Sequence, residues 1–202
     1  VRRVVAVEPM PRMRDRIARE LPDVTVLDGT AEAIPLPDHA VDAVVVGEAF
    51  HWFDTAAAAA EIARVLTPAG GLAVLWNVPT WTDESTPWLE GFRRVVTPHR
   101  RAAGDFPAGN GRWRDGLTRT GLFADPEHSA FSHTHELTPA DFLALVASWS
   151  WIASLDHDAR RRTLDAVAAV IAGEDSIEIP YRTDLYLTRA RATENPATEG
   201  PP

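Results

Sequence analysis

The sequence predicts a doubly wound α/β fold, and three observations carry that expectation. Short apolar runs rich in β-branched residues recur through the first 77 residues, amphipathic helical stripes separate them at short spacing, and proline and glycine mark the boundaries.

Val4 to Val7 is a continuous apolar run ending at Glu8, which reads as a parallel strand buried on both faces. Pro11 suits a first helical turn, and Met13, Ile17 and Leu21 recur every four residues as a stripe that Pro22 ends. Val24 to Leu27 is a second strand, and a polar loop from Asp28 to His39 follows it, with Pro35 and Pro37 inside. Val41 to Val46 is a third strand. Asp54 is placed to cap a helix whose buried stripe is Ala58, Ile62, Val65 and Leu66. The stretch Thr67-Pro68-Ala69-Gly70-Gly71 reads as a turn before a fourth strand, Leu72 to Trp76.

After Asn77 a Trp-, Pro- and Arg-rich stretch runs to Asp115, with a helix from Pro87 to Val96 capped by Thr86. It reads as an insertion over the active face. Gly111 to Gly121 is helical, and Leu122 to Leu137 contains a strand. Thr138-Pro139 opens a helical pair ending near Gly173, with Leu164, Val167, Ala168 and Ile171 on one face. Ile177 to Leu187 is the last strand, and the tail from Ala190 lacks apolar anchors and is expected to be disordered.

At 202 residues the chain fits one domain, here taken as 1–190 with a 191–202 tail. No apolar run approaches the roughly 20 residues that cross a bilayer, and the first residues lack a secretory pattern, so a cytoplasmic protein without a membrane partner is expected. The absence of cysteine excludes disulfides and thiolate metal sites, and no metal is expected. The net charge of −9 comes without a basic block, which argues against nucleic acid as a partner. Every basic residue is Arg, so a Schiff-base lysine is excluded.

An acid at the carboxyl end of a parallel strand, as Glu8 is, suits the two hydroxyls of a ribose. The same acid could instead cap the next helix or be solvated. Four segments in order narrow the choice: Val-Val-Ala-Val-Glu-Pro-Met-Pro-Arg-Met (4–13), Asp-Gly-Thr-Ala-Glu-Ala-Ile-Pro-Leu-Pro-Asp (28–38), Val-Asp-Ala-Val-Val-Val-Gly-Glu-Ala-Phe-His-Trp-Phe (41–53) and Glu-Ile-Ala-Arg-Val-Leu-Thr-Pro-Ala-Gly-Gly-Leu-Ala-Val-Leu-Trp-Asn (61–77). Together they resemble the class I S-adenosylmethionine-dependent methyltransferases of the small-molecule, trans-aconitate methyltransferase-like type (methyltransferase type 11). Ala69 stands where that family's turn has its first glycine. The closing Pro-Tyr-Arg-Thr-Asp-Leu-Tyr (180–186) is similar to the same subfamily.

The resemblance implies a Rossmann-like sheet, mostly parallel with an antiparallel C-terminal strand, and S-adenosylmethionine as cofactor. It implies that Glu8 binds the ribose hydroxyls and Met10 packs on adenine, with Thr30, Ala31 and Glu32 at the adenine edge. Gly47, Glu48 and Ala49 would border the methionine part and the substrate. Met10 and Ala31 could equally be ordinary packing residues. The family's first strand and glycine-rich loop lie upstream of its ribose acid, and this sequence begins seven residues before Glu8. Such a unit takes about 30 residues. The expectation is therefore a chain lacking both, binding S-adenosylmethionine weakly or not at all, with an exposed sheet edge prone to associate.

Methyl transfer needs a dry site that holds nucleophile and methyl together. Trp52, Trp76 and Trp81 are candidate walls for a small-molecule acceptor, although tryptophans are more often core. The segments 77–115 and 138–173 would cover the substrate. His51 is the candidate base for a hydroxyl or amine acceptor, with Glu48 second and His133 and His135 more remote, and a carboxylate acceptor needs none. His51 could instead be a structural histidine. Two other functions compete: a nicotinamide-dependent Rossmann oxidoreductase, which also places an acid at a strand end, and a non-catalytic binding module.

Overall fold

A computed structural model describes residues 3–80, 87–102 and 112–191. Strand β1 (Val4–Val7), helix α1 (Pro11–Glu20) and strand β2 (Val24–Leu27) follow the expected limits, and β1 pairs with β2 in parallel. Pro11 opens α1 at a position where its missing N–H costs nothing. The expectation of a strand buried on both faces does not hold: no residue of β1 is fully buried, because the strand pairs only with β2. α1 likewise has no buried residue, and Met13 and Leu21 of its apolar stripe remain exposed.

The next elements are β3 (Val41–Gly47), a 3₁₀ turn (Phe50–Trp52), α2 (Thr55–Val65) and β4 (Leu66–Pro79). The Asp54 carboxylate accepts the N–H groups of Ala56 and Ala57 and so fixes where α2 starts. Ala58, Ala59, Ile62 and Val65 are buried as one face, while Leu66 begins the strand. The Thr67–Gly71 segment does not separate helix from strand. It lies inside β4 as an irregularity: Val41 pairs with Leu66 and Ala43 with Gly71, so the intervening residues bulge. Ala69 holds a left-handed φ of 60° there, and a Cβ on Gly70 would meet the Thr67 carbonyl at 2.8 Å.

Beyond lie α3 (Pro87–Ala102), α4 (Arg112–Arg119), β5 (Glu127–Leu137), α5 (Pro139–Ser148), α6 (Ser150–Ala153), α7 (His157–Val170) and β6 (Ile177–Arg189). α3 continues past Val96 through Pro98, where the sequence predicted its end. Its buried Leu89, Phe92 and Val96 anchor it, and His99 one turn on donates Nε2–H to Thr163, whose own hydroxyl is donated to the Ala159 carbonyl. The expected helical pair is three helices, capped by Thr138 at α5 and Asp156 at α7. Thr86 and the tail from 192 lie outside the described residues.

The second sheet has the order β3-β4-β6-β5, with β3 and β4 parallel. β6 runs against β4, since Ala190 bonds Gly70 while Pro180 bonds Thr80. The expected mixed sheet is thus present, in two pieces. The chain forms two compact units. The first takes in 1–76, 107–129 and 185–202, with a core built on Phe50, Ile62, Leu66, Leu72, Trp76 and Phe123. The second takes in 77–106 and 130–184, with a core of Leu89, Phe92, Phe142, Ile152, Val167 and Ile177.

Replacing Ala69 by Gly relieves a left-handed conformation that costs a Cβ-bearing residue about 1–2 kcal/mol, less the entropy of a freer unfolded chain. The expected net gain is about 0.5–1 kcal/mol by urea unfolding. Gly70→Ala is expected to lose about 1–3 kcal/mol, because the obstacle is backbone that cannot swing away.

Candidate functional site

The first unit carries nearly every residue expected to act. Glu8 follows β1, and its backbone N–H donates to the Leu27 carbonyl at 3.1 Å, continuing the ladder. Its Oε1 accepts the N–H of Met10 at 2.8 Å. A carboxylate has about four lone-pair directions, so this bond orients Glu8 while leaving it capacity for two hydroxyl donors. Arg14 closes the same turn, donating to the carbonyls of Glu8 and Pro9 and pairing with Asp28 at the end of β2. Met10 is 60% exposed, so it is no core residue.

The loop after β2 folds tightly onto this strand end. A Cβ at Gly29 would lie 2.6 Å from Pro35 Cδ and 3.1 Å from Val7 Cγ1, so only glycine fits there. Thr30 bridges Ala33 around a turn containing Ala31 and Glu32. Glu32 reaches on to accept the Asp54 N–H at 3.0 Å. Farther along, the Arg64 guanidinium donates to the Ile34 and Leu36 carbonyls, to Asp38 and to both oxygens of Glu61, which in turn accepts the Ile34 N–H. The Arg64 bonds hold the Glu61 carboxyl below its ordinary range.

Gly47 and Glu48 end β3, and Glu48 takes a left-handed φ of 54° with its N–H bonded to the Leu75 carbonyl. Ala49 packs against the core at the start of the 3₁₀ turn. His51 in that turn accepts the indole N–H of Trp76 at Nδ1, at 3.4 Å, so the neutral ring carries its proton on Nε2. Burial lowers the His51 pKa. Trp52 is 62% exposed and lies against the His51 ring, whereas Trp76 is 7% exposed. Trp76 stacks within an aromatic group with Trp113 and Tyr186, and Arg114 lies over the Tyr186 ring. Trp81 lies outside the described residues.

Sequence reasoning brought out Glu8, the 30–32 turn and the 47–49 strand end, but missed Arg14, Tyr186 and the Glu61–Arg64 pair. The signal for Arg64 was present in the Arg-Val-Leu-Thr-Pro run; its partners stand 26–30 residues earlier in the chain. His133, named as a remote base, stacks on Tyr181 within the second unit. A recess of about 660 Å³ on α3, lined by Glu90, Arg93, Arg94, Thr97, Pro98 and Arg101, involves none of the expected residues. Among the described residues no group of three His, Asp or Glu side chains is arranged to hold a metal ion. No described helix is long and apolar enough to cross a membrane.

Acids at the ends of parallel strands, with a loop folded beside them, are the arrangement in which α/β proteins carry ligand sites at the carboxyl ends of their strands. The fold is similar to that of a candidate type II methyltransferase from Anaeromyxobacter dehalogenans (TM-score 0.63, 21% identity, 94% of this chain and 80% of that one). It is also similar to the YcgJ protein of Bacillus (TM-score 0.53, 17% identity, 96% and 84%). A methyltransferase-domain family model matches residues 1–74. An uncharacterized methyltransferase of Mycobacterium tuberculosis is 37% identical over 186 residues, covering 89% of this chain and 71% of the relative. A methyltransferase-like protein of Schizosaccharomyces pombe is 31% identical over 189 residues, covering 91% and 72%. The chain belongs to the class I S-adenosylmethionine-dependent methyltransferases. Nothing in these comparisons supports the nicotinamide-dependent reading or a non-catalytic module.

Arg64→Lys keeps the charge but not the planar fork, and is expected to speed proteolytic cleavage within 28–38 roughly tenfold. Acid should weaken the fold in two stages. His51, with its folded pKa below the ordinary 6.5, contributes stability that is lost as pH falls below that value. Glu61 contributes stability present above the ordinary 4.5 and lost as pH falls through its depressed folded pKa. Urea midpoints should fall as pH drops from about 7 through the lowered folded pKa of His51, and His51→Asn should flatten that slope.

Proposed function

We propose that this chain carries the residues that hold the nucleoside half of S-adenosylmethionine, for methyl transfer to a small-molecule acceptor bearing a carboxylate, hydroxyl or amine. The observation that carries the reading is the Glu8 carboxylate at the end of β1, oriented by the Met10 N–H beside the loop that Gly29 seats on Val7. Glu8 accepts the two ribose hydroxyls, and Met10, exposed two residues on, covers the adenine face. Thr30, Ala31 and Glu32 form the adenine edge, with Glu32 steadied by the Asp54 N–H. Gly47, Glu48 and Ala49 border the methionine side.

The cofactor supplies an electrophilic sulfonium methyl for an in-line displacement. The chain's contribution is to position the acceptor and exclude water. The exposed ring of Trp52 supplies an aromatic wall. Trp76 acts chiefly by holding His51. Burial favours the neutral His51 ring, the form a general base needs, and His51 is the first candidate base for a hydroxyl or amine acceptor. Glu48 is the second candidate base.

Equilibrium binding of S-adenosylhomocysteine and of adenosine tests the nucleoside assignment. Glu8→Ala removes charge-assisted hydrogen bonds and should weaken both at least about tenfold. Equal affinity in the variant would overturn the assignment. With labelled methyl donor and a responsive acceptor, His51→Ala should lower turnover about 10²-fold or more with little change in cofactor affinity; an unchanged rate would remove His51 from the reaction.

A further inference from the structure

We propose that β5 is a dimerisation edge, at which two copies of this chain pair antiparallel about a two-fold axis through Phe131. β5 stands at the end of the sheet order, and among the described residues its outer edge has no strand partner. It is 11 residues long, and every residue from Glu127 to Glu136 is exposed. Such an edge is a template for another strand, and proteins usually blunt it with lysine, proline, a bulge or short length. β5 has no lysine and no proline, and its only carboxylates, Glu127 and Glu136, stand near its two ends. Phe131, at its middle, is 56% exposed.

The residue order makes the strand complementary to itself. With Phe131 opposite Phe131, an antiparallel register places Glu127 opposite His135, Ser129 opposite His133, His128 opposite Thr134 and Ala130 opposite Ser132. No acid meets an acid. The Glu127–His135 pair occurs twice, once on each side of the axis, and directly opposite complementary pairs stabilise antiparallel ladders. At the centre the two phenyl rings cover each other, removing the strand's exposed apolar ring from water. A different protein would have to reproduce this polar and apolar order by chance, whereas a second copy carries it already. The pairing is isologous and closes, so the product is a dimer rather than a fibre.

Sedimentation of the 202-residue chain should show a species of twice 22.1 kDa. Phe131→Asp should raise the dissociation constant at least tenfold, with an unchanged circular dichroism spectrum. The chain has no cysteine, so single substitutions report the register without background. Opposed residues lie about 4.5–5.5 Å apart between Cα atoms, within disulfide reach, so Phe131→Cys should oxidise to a covalent dimer. In the same register two copies of residue 135 lie roughly 27 Å apart, and His135→Cys should not cross-link. A chain that stays monomeric up to about 100 µM would overturn the proposal. So would a dimer in which Phe131→Cys fails to cross-link or His135→Cys cross-links as readily.

Discussion

The guanidinium of Arg64 is the fastening on which the site depends. It sits in the last turn of α2 and spends its planar fork on Glu61, on Asp38 and on the carbonyls of Ile34 and Leu36. The loop from β2 to β3 has no helix or strand of its own, and these bonds act together with Gly29 packing on Val7, Ile34 packing on the first core, the Glu32–Asp54 contact and the His39 ring bonded to the Leu66 carbonyl. Because the loop follows the end of β2 and is anchored on α2, it ties the small β1–β2 sheet to the core of the first unit. The arginine of the Arg-Val-Leu motif is thereby given a physical role: it shapes a loop distant in sequence.

Strain and burial are distributed unevenly around that fastening. Glu48 and Ala69 both hold left-handed backbone, one at the end of β3 and the other in the β4 bulge. Such strain persists where surrounding bonds over-determine it, at Glu48 through the Leu75 carbonyl. The second accompanies a bulge that lets β4 resume its register with β3 at Gly71. Trp76 and Trp113 are packed into the first core, whereas β1 and α1 bury nothing fully, so Glu8 and Met10 rest on the less buried part of the first unit.

The comparison between sequence and structure is sharpest at particular elements. Alternation of apolar runs and stripes located β1, α1, β2, β3 and α2 to within a residue or so, because each is decided by local periodicity and caps such as Asp54 and Pro11. The extent of α3 was not legible, since Pro98 should end a helix and only the packing of Leu89, Phe92 and Val96 carries it onward. The 67–71 stretch has turn residues and reads as a turn, but pairing with β3 draws it into a strand. In the candidate site, Glu8, Thr30 and Glu48 were legible because each follows a strand end. Arg14, Tyr186 and Arg64 were not, because their partners are separated from them by a loop or by most of the chain.

By itself the sequence determined the element order, the acids at the strand ends and the methyltransferase motifs, all of which are short-range patterns of residue type. Only tertiary structure decided that the expected sheet stands in two pieces and that the chain gathers into two cores. It also decided that Trp76 is buried against Trp113 while Trp52 faces solvent. The reason is physical: periodicity states which face of an element is apolar, but which partner covers that face depends on contacts between residues far apart in the chain.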